Sequence, residues 1–299
     1  MKIRRVMTTL FVAVALAACQ SLPASVPQNV ADAPPAALAT SVVTAAPTEV
    51  PATITPTQIA SLLGPCQNPL MPLHPGARWQ YQTVNPTGSF DYTIEALDLS
   101  KDRTQTIGLR FTSADGKVKD EDALCENGTI VNYPNYNMDM LFANQLQQTL
   151  NLVHMQGDAL PGYEALQQAG WQLAWQTVYQ TEEGAVLADP TTGAAINIDS
   201  SSDVDMEYRL TGVTERITTP AGSWDCLVVE HAFTFLVTIP AVFTNSAAAT
   251  LRVETTQWIA PNVGLVQSSL RRAVIRSGGL ESEVPLTGTL TLMQVDVPQ

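Results

Sequence analysis

Between Leu227 and Ile239 every second residue avoids water: Leu227, Val229, His231, Phe233, Phe235, Val237 and Ile239 form one row, while Glu230 and Thr234 mark a more mixed opposite side. A period of two places such a row on one face of an extended strand. Seven residues is more apolar length than a water-facing strand needs, so this face must be covered by other parts of the chain. That need constrains the fold more than any other feature. The segment before it, 205–218, reads as the antiparallel partner, and the pair turns at Pro220-Ala221-Gly222. Proline presets φ for the first turn position, and glycine tolerates the positive φ that a type II turn or bulge needs.

Strand signals continue on both sides of this hairpin. Residues 78–84, 90–97, 104–112 and 128–133 carry β-branched and aromatic residues between turn clusters. The clusters are "NPTGS" at 85–89, "SADGK" at 113–117 and "ENGT" at 126–129, the last two holding the DG and NG pairs that suit hairpins. Downstream, 249–260 and 264–276 flank the turn "APNVG", and 285–297 supplies a final strand. Only 135–155 has helical flavour, with Leu141, Leu146, Leu150 and Val153 near a 3.6 period, and one helix is expected there. The blocks "LMPLHPGARWQYQTV" at 70–84 and "LPGYEALQQAGWQLAWQTVYQ" at 160–180 share a Leu/Pro/Gly entry followed by aromatics. The second places Trp171, Trp175 and Tyr179 on one strand face if it is extended throughout. Two similar halves, 63–155 and 156–299, or one curved sheet, fit this likeness equally. The expected fold is mainly β: an antiparallel meander forming a curved sheet or half-barrel with one helix, preceded by a signal peptide and a disordered linker.

The C-terminal hairpins support a resemblance. "TTPAGSWDCLVVE" followed by "TTQWIAPNVGLVQSSL" resembles a group of bacterial secreted and lipid-anchored β-domains whose pattern is a PAG-aromatic-x-C turn and then W-x-AP-x-VGLV. The resemblance implies a β-sheet domain and no chemistry. Asn262 stands where that group usually has Gly, a substitution that left-handed backbone tolerates.

The N-terminus fixes the compartment. Lys2, Arg4 and Arg5 precede the uncharged run Val6–Ala18, as in an export signal. The run is shorter than the about 20 residues of a membrane-spanning helix. Leu16-Ala17-Ala18-Cys19 resembles the lipobox of bacterial lipoproteins. The resemblance implies cleavage after residue 18 and lipidation of the Cys19 thiol, giving a palmitate-type anchor. Two or more acyl chains hold a protein stably on a membrane. No aspartate follows Cys19 to suggest inner-membrane retention. Residues 19–62 contain no Lys, Arg, Trp, Tyr or Phe and are rich in Ala, Pro and Thr, so they cannot offset their own ordering entropy. They read as a tether for a β-rich globular domain at 63–299. The expected location is extracytoplasmic, lipid-anchored to the cell membrane or outer membrane.

Charge and cysteines agree with export. The chain has 15 basic and 28 acidic residues, net −13, and loss of the signal leaves 12 basic residues against the same 28. That balance repels nucleic acid and disfavours adhesion to anionic headgroups. After Cys19, three cysteines remain, and an oxidising compartment should pair two of them. Cys66 and Cys125 lie in loop-like, polar surroundings at strand ends, whereas Cys226 lies within a strand, so a Cys66–Cys125 disulfide with Cys226 as a free thiol is expected. Closing that loop is worth roughly 4 kcal/mol in the chain-entropy account.

Catalytic signatures are missing from the sequence. His74 lies in a Pro-rich loop, His154 near the expected helix end and His231 in the apolar row, and there is no nucleophile elbow, zinc-protease motif or phosphate-binding glycine loop. Asp199, Asp203 and Asp205 sit in an acidic run that lacks the glycine and terminal glutamate of a calcium loop, and a solvated turn is the expectation. No metal, no cofactor and no enzymatic activity are expected. The sequence points to a membrane-tethered extracytoplasmic binding module for an apolar ligand, an envelope polymer or a protein partner. A structural or assembly lipoprotein is the alternative, and an envelope hydrolase is the weakest reading.

Overall fold

The structure, a computed structural model, describes residues 66–99, 105–134, 136–143, 145–146, 150–188, 195–238 and 248–298. Cys19, the signal at 1–18 and the tether at 19–62 lie outside the described residues, as does Ile239.

The protein is mainly β. A strap, β1 (Gln67–Asn68) and β2 (Met71–Pro72), leads into a meander of β3 (Arg78–Asn85), β4 (Gly88–Leu99), β5 (Thr106–Thr112), β6 (Val118–Glu126) and β7 (Thr129–Asn132). A short helix α1 (Tyr136–Leu141), strand β8 (Leu152–Gln156) and a second short helix α2 (Tyr163–Gln168) follow. Next come β9 (Ala174–Thr181), the small pair β10 (Ala185–Ala188) and β11 (Ala195–Ile198), and the long hairpin β12 (Asp203–Thr219) and β13 (Gly222–Thr238). The chain ends with β14 (Ala248–Ala260), β15 (Gly264–Ser277), β16 (Leu280–Glu283) and β17 (Thr289–Asp296).

β1 and β2 pair only with each other, and the other strands build one antiparallel sheet along the path β7-β6-β5-β4-β3-β17-β15-β14-β13-β12-β9-β8. β11 and β16 are added beside β13 and β15, and β10 beside β11, so the described parts of 63–155 and 156–299 share a single sheet. β17 joins them by pairing with β15 on one side and β3 on the other. The two ends of the sheet then meet. Ile130 of β7 exchanges backbone hydrogen bonds with Leu160, just after β8, and the Tyr179 hydroxyl donates to the Tyr133 carbonyl at 2.9 Å. The half-barrel expectation therefore becomes a nearly closed barrel.

Each end of the barrel is stopped by its own segment. At the Trp79 end of β3, the Trp79 indole N–H donates to the Val263 carbonyl at 2.7 Å, and the strap crosses beside Gly264. Asn262 adopts φ 61°, as its left-handed position requires, and its N–H reaches the Pro69 carbonyl. At the other end, the Asn85 amide donates to the Ala143 carbonyl of the segment that follows α1. Tyr136 at the start of α1 stacks on Phe111 at 4.6 Å, and Phe142, just after α1, meets Phe233 edge-on at 5.8 Å. Val229, Phe233, Phe235 and Val237 are buried beneath this cover, while Leu227 is only half-buried. Among the described residues no helix is long and apolar enough to cross a membrane.

Two expectations fail. The helix proposed over 135–155 is one short turn, Tyr136–Leu141, and Leu152–Gln156 is a strand paired with β9. The spaced leucines arise because this plug is enclosed on several sides, with Leu146 bridging to Leu187. Trp171 does not share a strand face with Trp175 and Tyr179. Residues 163–168 form α2, and Trp171 sits at φ 60° in the turn after it, before β9 begins at Ala174.

Asn68 ties the strap to the closure. Its buried side-chain amide donates to the Gly128 and Pro161 carbonyls, both at 2.8 Å, and its oxygen accepts the Leu70 N–H at 2.8 Å. Asn68→Ala should therefore cost about 3 kcal/mol, because buried partners are left unpaired. Urea unfolding of the oxidised protein measures it, and a loss below about 1 kcal/mol would contradict this role. A second test concerns Asp139 of α1, whose carboxyl accepts the Leu150 N–H at 3.0 Å. Burial pushes this carboxyl up to about 7, with Lys119 opposing the rise and Glu121 adding to it. Its folded value lies above its unfolded value, so its stabilising contribution is complete below about pH 4 and is lost as pH rises through 7. Asp139→Asn should raise the melting temperature at pH 8.5 by at least about 3 °C and give no gain at pH 4.

Candidate functional site

Strand alternation that buries Val204, Met206, Tyr208 and Leu210 inside the barrel turns Asp203, Asp205, Glu207 and Arg209 outward from β12. Register then sets their neighbours. Glu207 lies opposite Gln176 of β9 and Ala232 of β13, and Ala232 lies opposite Glu254 of β14. Arg209 lies opposite Ala174 and Glu230, and Glu230 lies opposite Thr256. In β15 a bulge between the Arg272 and Leu270 pairings leaves Arg271 unpaired on the ladder beside Arg272.

Small residues sit between charged ones in this pattern. Ala174, Ala232 and Thr256 leave a trough of about 780 Å³ walled by Glu207, Arg209, Glu230, Arg252, Glu254 and Arg271. Arg252 is its fixed centre and only 24% exposed. It donates to Glu207 at 2.8 Å and to Glu254 at 3.1 Å, and it holds the Glu207 carboxyl below the usual carboxylate range. Arg209 pairs with Glu230. Arg271 reaches only the Thr256 hydroxyl, at 3.4 Å, and has no carboxylate partner among the described residues. Exposed pairs of this kind contribute at most about 1 kcal/mol each. Their effect is to hold long side chains in place around the trough.

Aromatic rings back the trough from inside the barrel. Trp175, Tyr208 and His231 stack across three neighbouring strands with centroid separations of 4.9 and 4.3 Å. The Gln257 amide lies 3.1 Å from His231 Nδ1 and donates to it, which leaves the ring proton on Nε2. Nε2 is buried without a partner among the described residues. Burial lowers the His231 pKa to about 3, with Arg252 on the other side of the sheet adding to the effect. Buried side chains from most of the described strands form one core inside the barrel. A crevice of about 50 Å³ remains between Leu70, Met71, Tyr81, Tyr179 and Gln257, far smaller than an acyl chain needs.

The residues singled out in the sequence do not gather into one site. Cys66 and Cys125 form a disulfide with Cα atoms 5.0 Å apart. Cys226 is a reduced, buried thiol whose pKa burial pushes up to about 11. His74 lies 3.0 Å from the Gln67 amide in the strap, and His154 contacts the Gly157 carbonyl beside β8. Asp199 accepts from Thr238, while Asp203 and Asp205 belong to the outward row of β12. No group of three or more His, Cys, Asp or Glu side chains among the described residues could hold a metal ion. No motif in the sequence marks the trough charges. Their signal was the alternation in "DMEYR" and "RVET", which an ordinary half-exposed strand also shows.

A family model described as DUF3108-like matches residues 75–270, which spans β3 through the first half of β15. The chain belongs to the DUF3108-like family. Two solved structures are similar to it. One, from Bacteroides fragilis and described as an exported protein with a YmcC-like fold, is 13% identical, covers 76% of this chain and 99% of its own, and has a TM-score of 0.45. Another, described as a lipoprotein of Parabacteroides distasonis, is 17% identical, covers 77% of this chain and 99% of its own, and has a TM-score of 0.43. No curated protein matches the chain.

The stacked histidine contributes a pH dependence opposite in sign to that of Asp139. Its folded pKa of about 3 lies below its unfolded value of about 6.5, so its contribution to stability is complete above 6.5 and is lost as pH falls toward 3. His231→Gln should flatten the decline between pH 6 and 4 in urea unfolding. An unchanged slope would show that His231 is not the group responsible.

Proposed function

We propose that this protein is an extracytoplasmic binding module, anchored to the membrane through lipid on Cys19 and carrying its ligand site on the outer wall of the barrel. The trough walled by Arg252, Glu207, Glu254, Arg209, Glu230 and Arg271 supports this reading. Its volume is about 780 Å³, and its ion pairs preorganise polar groups that would otherwise lose entropy on binding. The ligand is polar. The filled apolar row and the 50 Å³ crevice argue against a lipid cargo inside the barrel. We read the protein as non-catalytic, since its three histidines stand on separate elements and His231 is sealed from solvent.

Two experiments test the two parts of this reading. Growth with radioactive fatty acid should label the wild-type protein and not Cys19→Ala, and the variant should appear in the soluble fraction. Label on Cys19→Ala would refute the anchor. The mature chain carrying Cys19→Ala should bind soluble cell-wall fragments in calorimetry. Arg252→Glu should weaken that binding at least about tenfold without unfolding the barrel, because like charges then face one another across the trough. Equal binding by Arg252→Glu would place the site elsewhere.

A further inference from the structure

Charge is distributed unevenly along the trough. Toward β12, Arg252 is shared by two carboxylates, Glu207 and Glu254. Asp203 and Asp205 extend the same outward row, and Asp205 accepts from the Gln176 amide at 3.2 Å. The Arg209–Glu230 pair is neutral, so this end carries excess negative charge. Toward β15 the excess is reversed. Arg271 has no carboxylate partner among the described residues. Arg272 and Arg276 share the single carboxylate of Glu281, and Glu283 on the same strand forms no ion pair with them. A chain with net charge −13 therefore keeps a local cationic site at one end of an otherwise acidic trough.

Resting on the reading of the trough as the binding site, we propose that it takes a short extended peptide lying across the strands, its cationic end over β12 and its free carboxylate on Arg271. The distance selects this class. From β12 to β15 is three strand spacings, about 14 Å. An extended peptide rises about 3.3 Å per residue, so about four residues span the two poles. A single amino acid, or a headgroup whose phosphate and ammonium are a few bonds apart, reaches one pole only. Arg271 offers an unpaired guanidinium fork, the geometry that binds a carboxylate through two parallel hydrogen bonds. Small floor residues let the peptide backbone approach the sheet, and the acidic row repels a polyanion laid the same way.

The test uses the mature chain carrying Cys19→Ala and three probes in calorimetry: Lys-Ala-Ala-Ala with free termini, its C-terminal amide, and the dipeptide Lys-Ala. The free tetrapeptide should bind at least about tenfold more tightly than either of the others, one charge-assisted contact being worth about that much. Arg271→Gln should erase the difference between acid and amide. Asp205→Asn should weaken both alike. Both variants should keep the wild-type melting temperature. Equal affinity for acid and amide would overturn the assignment of Arg271. If cell-wall oligosaccharides bind in an Arg252-dependent way and the tetrapeptide does not, the trough stands as the site and the peptide assignment fails. If neither ligand binds, both fail together.

Discussion

Closure of the sheet at one seam is the constraint on which the rest of this structure depends. A twelve-strand path that failed to meet itself would expose the backbone edges of β7 and β8, and unpaired edges are sites of non-specific association. Here Ile130 and Leu160 bond across the gap, and the Asn68 amide donates to carbonyls on both sides of it. Asn68 meets its own hydrogen-bonding needs in doing so, which lets a polar side chain lie buried without net cost. The disulfide from Cys66 to Cys125 holds the strap that delivers Asn68. Any pull transmitted from the N-terminal side reaches β6 through this covalent bond before it reaches the seam.

Closure also decides which surface is left for binding. Strap and plug occupy the two ends, and rings from β4, β5, β13 and the plug fill the inside. A barrel filled in this way has a rigid wall. The outward side chains of β12 to β15 are fixed by register, and their positions are set by the packing of the opposite face. The Trp175–Tyr208–His231 stack is an example. Its rings face the core, and the residues beside them in sequence, Gln176, Glu207, Arg209, Glu230 and Ala232, face the trough. Repacking the interior would move the site.

The hairpins were legible in the sequence because their information is local. Pro220-Ala221 connects β12 to β13, and Asn262 turns β14 into β15 with the left-handed backbone expected of it. The alternation of Val229, Phe233, Phe235 and Val237 marked the buried face for the same reason. Segment 135–155 was misread because its leucines answer to distant partners, such as Leu187 for Leu146 and β9 for 152–156, and a helical period cannot encode them. Trp171 misled similarly: an aromatic spacing of four fits both a strand face and the turn after α2. The trough was least legible. Alternating charges on a strand are ordinary, and only register brings Glu207 of β12 beside Arg252 and Glu254 of β14 in one cluster.

The placement of Ala232 shows how little sequence separates a charged wall from a site. It sits at the centre of the outward face, between Glu207 and Glu254, where its methyl group is too short to reach the plane of the neighbouring carboxylates. A long side chain there would fill the trough and add a fourth partner to a network in which Arg252 already serves two carboxylates. The inner face would be unaffected, since Ala232 points away from Phe233 and its neighbours. Stability and recognition are therefore separable at this position. The packed side of β13 holds the barrel, and the open side is shaped as much by what is missing from Ala232 as by the charges around it.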